Sequence, residues 1–247
     1  TGYDLGVNSG TNSNNDTFAS WSFRKAPKFF DVVTWSGDGS SNRQIAHNLG
    51  STPGFILIKR TDSTGNWLAW HKEVNPGYGI LDLTLAFTAG ANGFFNAVAD
   101  TYFETSWLNT SGATYVAYLF AHNDSGDGEF GPDSDQDIIK CGSYVSNETT
   151  PPEITLGFEP QWILIKKSTG VDGWLIFDIM RGVPTGGNDA MLRAHASSVE
   201  YDAANQIDFT STGFKLTTAG LGGTNAPTGE TYIYMAIRRG PLAPPEA

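Results

Sequence analysis

The sequence predicts an all-β protein of tandem antiparallel β-sandwich modules with jelly-roll-like connections. Three observations predict it. First, the chain repeats itself. Leu49-Gly50-Ser51-Thr52-Pro53-Gly54-Phe55-Ile56-Leu57-Ile58-Lys59-Arg60 returns as Leu156-Gly157-Phe158-Glu159-Pro160-Gln161-Trp162-Ile163-Leu164-Ile165-Lys166-Lys167, at a constant offset of 107 positions (156 − 49 and 166 − 59). The offset still holds at Trp67 and Trp174, whereas the closing segments around Tyr115 and Tyr232 stand 117 apart (232 − 115), so the second copy carries an insertion. Self-similarity on this scale marks one duplicated structural unit. Second, the apolar runs are short, β-branched and bounded by turn residues, a pattern of strands. Third, roughly six to eight such runs fall in each unit of about a hundred residues, with turns every ~8–12 residues, as in sandwiches.

The elements follow in order. Residues 1–27 read as the closing part of a preceding, incomplete repeat: Asp16-Thr17-Phe18-Ala19-Ser20-Trp21-Ser22-Phe23 resembles Ala113-Thr114-Tyr115-Val116-Ala117-Tyr118-Leu119-Phe120. With no initiating Met, apolar signal segment or membrane-length apolar run, the expectation is a piece of a longer modular protein. Unit one, residues 28–124, should hold strands at 31–35, 44–47, 55–59, 67–71, 79–85, 102–106 and 114–121. Pro53 suits a strand's first position because it fixes φ and lacks a donor. Phe55-Ile56-Leu57-Ile58-Lys59, a Gly-containing turn, and Trp67-Leu68-Ala69-Trp70-His71 predict a hairpin. Residues 125–137 are an acidic, Gly-rich linker. Unit two, residues 138–240, repeats the plan at 137–144, 153–156, 162–166, 174–178, 190–193, 206–209, 213–218 and 231–238, and only 188–205 has room for a short helix. Residues 241–247 are a Pro-rich tail.

Composition narrows the functional classes. The chain has 247 residues, enough for two domains that each bury a core. Charged residues are 17%, against about 25% in typical proteins, so hydroxyls and amides must supply much of the polar surface. A net charge of −11 argues against a nucleic-acid backbone or an anionic lipid surface as partner. Cys141 is alone, which excludes an internal disulfide, and its strand-like setting predicts a buried, inert thiol.

No nucleophile elbow, zinc-binding helix, phosphate loop or dinucleotide fingerprint is present, and the four histidines are scattered. The reading is non-enzymatic, with no resident cofactor. Asp133, Asp135 and Asp137 place carboxylates at alternate positions, a candidate calcium site, since that ion takes about six to eight oxygens; the competing reading is a solvated linker. Trp67 and Trp174 occupy equivalent positions, which predicts a shared core role. Aromatics without a counterpart in the other copy are the candidate ligand contacts, because exposed rings suit the C–H faces of sugars: Tyr78, Phe94, Phe95, Trp107 and Tyr201.

Ser36-Gly37-Asp38-Gly39-Ser40, Ile45-Ala46-His47-Asn48-Leu49-Gly50, Pro53 with Phe55 to Lys59, Gly65-Asn66-Trp67 and Gly112-Ala113-Thr114-Tyr115-Val116-Ala117-Tyr118-Leu119-Phe120 form an ordered series. Unit two answers with Ile154 to Pro160, Asp172-Gly173-Trp174, Ser211 to Leu216 and Gly229 to Ala236. The series resembles a repeated domain of unknown function found in tail-fibre and other virion structural proteins of marine-type bacteriophages. The resemblance implies a structural component of the virion surface, in a tail fibre or other appendage, that takes part in host attachment. It brings no catalytic residues. The implied partners are further copies of the chain, as a homotrimer, other virion proteins, and a host-surface glycan or receptor, with no nucleic acid and no membrane insertion. The chain departs from fibres in lacking a coiled-coil or collagen-like shaft. A glycan-binding module and a capsid decoration protein are the alternatives.

Overall fold

The computed structural model describes residues 3–90, 93–124, 130–217 and 223–242. The first unit contributes β1 (Phe30–Ser36), β2 (Arg43–Ala46), β3 (Pro53–Arg60), β4 (Leu68–His71), β5 (Gly77–Ile80), β6 (Thr88–Ala89), β7 (Ala97–Val98), β8 (Tyr102–Thr105) and β9 (Thr114–Ala121). The second contributes β10 (Ile139–Val145), β11 (Glu153–Thr155), β12 (Pro160–Lys167), β13 (Trp174–Asp178), β14 (Met191–Arg193), β15 (Ile207–Thr210), β16 (Gly213–Leu216) and β17 (Thr231–Arg238). Each unit is a sandwich of a large and a small antiparallel sheet: β1-β9-β3-β4-β5-β6 over β2-β8-β7, then β10-β17-β12-β13-β14 over β11-β16-β15. In both units the first strand pairs with the last and the second with one near the end, the jelly-roll-like connection. The third and fourth strands of each unit form the predicted hairpin, with Ile56 opposite Trp70 and Ile163 opposite Phe177.

Three expectations change. Residues 79–85 do not form one strand: β5 ends at Ile80, and Asp82 turns back so that its Oδ1 accepts the Trp67 N–H at 2.8 Å. The stretch 188–205 holds no helix, because β14 occupies its first half and Tyr201 folds back to pair with Met191. Asp16–Phe23 forms no strand despite resembling β9. The central position of β9 depends on two flanking strands, β1 and β3, and this segment has neither.

The segment acts through its side chains instead. Phe23 packs 5.4 Å from Phe120 and 6.3 Å from Trp162, and Trp21 donates to Asp178 Oδ2 at 2.5 Å. It thereby plugs a seam between the sandwiches. That seam is apolar because strands with side chains on two faces have been buried on both. In β12, β13 and β17, Ile163, Ile165, Leu175, Phe177, Tyr232 and Tyr234 face the small sheet of their own unit. The alternate residues Trp162, Leu164, Trp174, Ile176, Ile233 and Met235 join Phe55, Trp70 and Phe120 in one core with the first unit. Close approach needs a glycine: a Cβ on Gly54 would meet Cys141 Sγ at 2.8 Å, whereas Gln161 stands at the equivalent position of the second unit. Cys141 is buried, and burial pushes its thiol far above the usual range, so it is inert as expected.

Backbone groups seal the junction. Asn123, 1% exposed, accepts from the Ile138 and Ile139 N–H groups and donates to Lys28 O. The Trp174 indole donates to Ile80 O at 2.8 Å, and His71 Nε2 meets Tyr234 O at 3.0 Å. The core of the first unit thus continues onto the outer face of the second unit's large sheet, and the second unit keeps a further core of its own between its two sheets.

Candidate functional site

The loop between β6 and β7 carries Gly93-Phe94-Phe95, and the turn after β8 carries Ser106-Trp107. Gly93 joins them. Its carbonyl accepts the N–H groups of Ser106 and Trp107 at 2.8 and 2.7 Å, as well as the Thr105 hydroxyl. Its φ of +111° lies in the region open to glycine, and a Cβ there would sit 2.6 Å from the Trp107 indole nitrogen. The indole therefore lies directly against the backbone.

Successive residues of an extended segment point to opposite sides, and this separates the two phenylalanines. Phe94 stays at the surface, 4.8 Å from Trp107 in an edge-on arrangement and 4.4 Å from Tyr78. Phe95 is a correction: it is 2% exposed, packed on Trp70 and Phe103, and has no face for a ligand. Trp107 is 61% exposed and Tyr78 and Phe94 are half-buried, so the open part of the Tyr78–Phe94–Trp107 ridge is the Trp107 ring. A polar rim borders it. Asn96 donates to Asn42 Oδ1 at 2.8 Å and to Ser106 Oγ at 3.0 Å, and its own Oδ1 accepts from Gly93 N. Rings beside uncharged amides and a hydroxyl suit the apolar face and hydroxyl edge of a neutral sugar.

Tyr201 lies elsewhere, on the second sandwich, with the Arg193 guanidinium 5.5 Å from its ring. The three linker aspartates do not converge. Asp137 is buried and its Oδ2 pairs with Lys140 Nζ at 2.9 Å, while Asp133 and Asp135 are exposed. Among the described residues no group of three His, Cys, Asp or Glu side chains is placed to hold a metal ion, and the neighbouring Asp127 and Glu129 lie outside them. Of the histidines, His71 is buried and held neutral, its pKa pushed down to about 4 by desolvation. Among the described residues no helix is long and apolar enough to cross a membrane.

The comparisons with known proteins bear on this architecture. The model of a domain of unknown function, DUF7483, matches residues 1–241. The chain belongs to that family. The DUF7483 match spans both sandwiches and the amino-terminal segment that plugs their seam, in agreement with a shared core. No curated protein and no solved structure matches the chain.

The rim residues Asn42, Asn96 and Ser106 are absent from the sequence-based candidates. No local motif marks them, since Asn42 and Ser106 meet only through the β2–β8 register, in which Arg43 faces Thr105.

Proposed function

We propose that this DUF7483 chain is a non-enzymatic structural segment of a bacteriophage virion appendage that contributes to host-surface attachment. The observation that supports this reading best is the merged core. A rigid double sandwich keeps fixed the distance and angle between its ends, which a mechanical spacer needs, whereas a flexible tether would not. The sequence resemblance to virion repeats supplies the setting, with further copies of the chain and other virion proteins as partners. Labelling intact particles with antibody to this chain tests it: signal on a tail or fibre supports the reading, and particles without label overturn it. Mass in solution tests the associated expectation of a homotrimer.

A second reading, a glycan-binding module, is favoured by the Tyr78–Phe94–Trp107 ridge, on which the Trp107 ring is exposed. A glycan array probed with the chain and with Trp107→Ala tests it. Binding lost in the variant supports sugar recognition on the ridge. An array with no signal, or a variant that binds unchanged, removes it.

A further inference from the structure

Five arginines are half-buried in this acidic chain, and four of them have an oxygen partner. Arg43 pairs with Asp38, Arg60 with Asp62 and Arg181 with Glu200, and Arg238 donates to Asp137 O. Arg193 is the exception: among the described residues its guanidinium makes no hydrogen bond and no ion pair, only the ring contact with Tyr201. It lines a cleft of about 420 Å³ whose wall comes mainly from the second sandwich, with Thr84 reaching in from the first.

The cleft is built around donors. His195 Nδ1 accepts the Trp174 N–H at 3.0 Å, which fixes the proton of the neutral ring on Nε2 and makes that nitrogen a donor. The ring occupies space that only a glycine leaves, because a Cβ on Gly173 would fall 2.2 Å from His195 Cε1. The one carboxylate in the lining, Asp172, is already committed, with Oδ2 3.2 Å from Lys167 Nζ and Oδ1 accepting the Gly173 N–H. Burial also depresses the His195 pKa, which keeps the ring neutral. The hydroxyls of Thr84 and Tyr201 make no hydrogen bond among the described residues. The lining also holds the Gln206 amide and the two-way hydroxyls of Thr84 and Tyr201, so the Arg193 guanidinium and the His195 Nε2 donor are what select an anion, and the planar fork of arginine matches a carboxylate in particular. The volume exceeds what a bare carboxylate fills and lies in the range of small-molecule pockets.

We infer that this inter-sandwich cleft binds a carboxylated sugar, with Arg193 on the carboxylate and His195 Nε2, Thr84 and Tyr201 on the remaining oxygens. The site is separate from the aromatic ridge and does not depend on the reading proposed above.

Calorimetric titration of the full chain with sodium D-glucuronate, D-glucose and inorganic phosphate tests the inference. Glucuronate should bind in the millimolar range, and glucose and phosphate at least about tenfold more weakly. Arg193→Gln should lose binding by about tenfold or more, and Arg193→Lys should lose part of it. In the folded wild-type chain, glucuronate should also shift the His195 imidazole resonances. Absence of glucuronate binding, phosphate binding of equal strength, or a folded Arg193→Gln that binds like the wild type would each overturn it.

Discussion

At the scale of single residues, the two units reuse one buried asparagine. Asn109 is fully buried; its Oδ1 accepts from Asp38 N, and its amide donates to Asp38 Oδ1 and Ser40 O. Asn225 holds the corresponding loop of unit two by accepting from Asn147 N and donating to Asn147 O. Truncation removes several hydrogen bonds made from a buried amide, so Asn109→Ala and Asn225→Ala should each cost about 1–3 kcal/mol in denaturant unfolding. His71 contributes a pH dependence. Its native pKa of about 4 lies below the ordinary 6.5, so the unfolded chain binds a proton that the native chain refuses. That stability is complete above about pH 6.5 and falls as pH drops toward about 4, by roughly 3 kcal/mol in total. His71→Gln should flatten this part of the profile in unfolding titrations between those two pH values. The sequence marks His71 only as a strand-end residue. Its burial comes from the second sandwich, a contact across 163 positions.

At the scale of elements, the strands were legible where apolar runs met turn residues. The segments 114–121 and 231–238 match β9 and β17 end to end. Legibility failed where an element depended on distant partners, as with the helix candidate at 188–205 and the strand-like 16–23. Equivalent tryptophans make the same point quantitatively. Trp174 is 1% exposed and sits in the shared core, whereas Trp67 is only half-buried, beside Tyr118 and under the Lys59 ammonium. The expected shared core role therefore holds for Trp174 and fails for Trp67, which stands one residue before β4. Trp174→Ala should cost about 3–5 kcal/mol, the range for fully buried aromatics, and Trp67→Ala clearly less. Equal losses in thermal unfolding would contradict this assignment. The lysines preceding these hairpin turns show what burial adds. Lys59 donates to Gly65 O, and Lys166 to the equivalent Asp172 O at 2.8 Å. Only Lys166 is fully enclosed, and desolvation pulls its pKa down to about 8.

At the scale of the whole molecule, the seam decides how the chain unfolds. Its apolar residues come from both units and from Trp21 and Phe23, so neither sandwich keeps its surface dry alone. Calorimetry should therefore show a single transition, with calorimetric and van't Hoff enthalpies in agreement. Two separated transitions would contradict the shared core. Phe23→Ala should lower that one transition rather than split it, because the ring touches Phe30, Phe120 and Trp162 at once. Repeat counting makes the two copies visible, but the docking angle and the plugging segment are set by contacts that no periodicity encodes. The candidate ridge was legible in part for the same reason. Unpaired aromatics were countable, whereas the inward turn of Phe95 and the rim amides required the folded register.

The double-sided burial of β12, β13 and β17 also bears on how such a gene can be cut and rejoined. The stretch that was copied, about a hundred residues, is smaller than the stretch that is self-sufficient in water. Residues 138–240 made alone would present Trp162, Leu164, Trp174, Ile176, Ile233 and Met235 to solvent and should precipitate more readily than the intact pair. Inheritance here counts in single sandwiches, and solubility counts in twos.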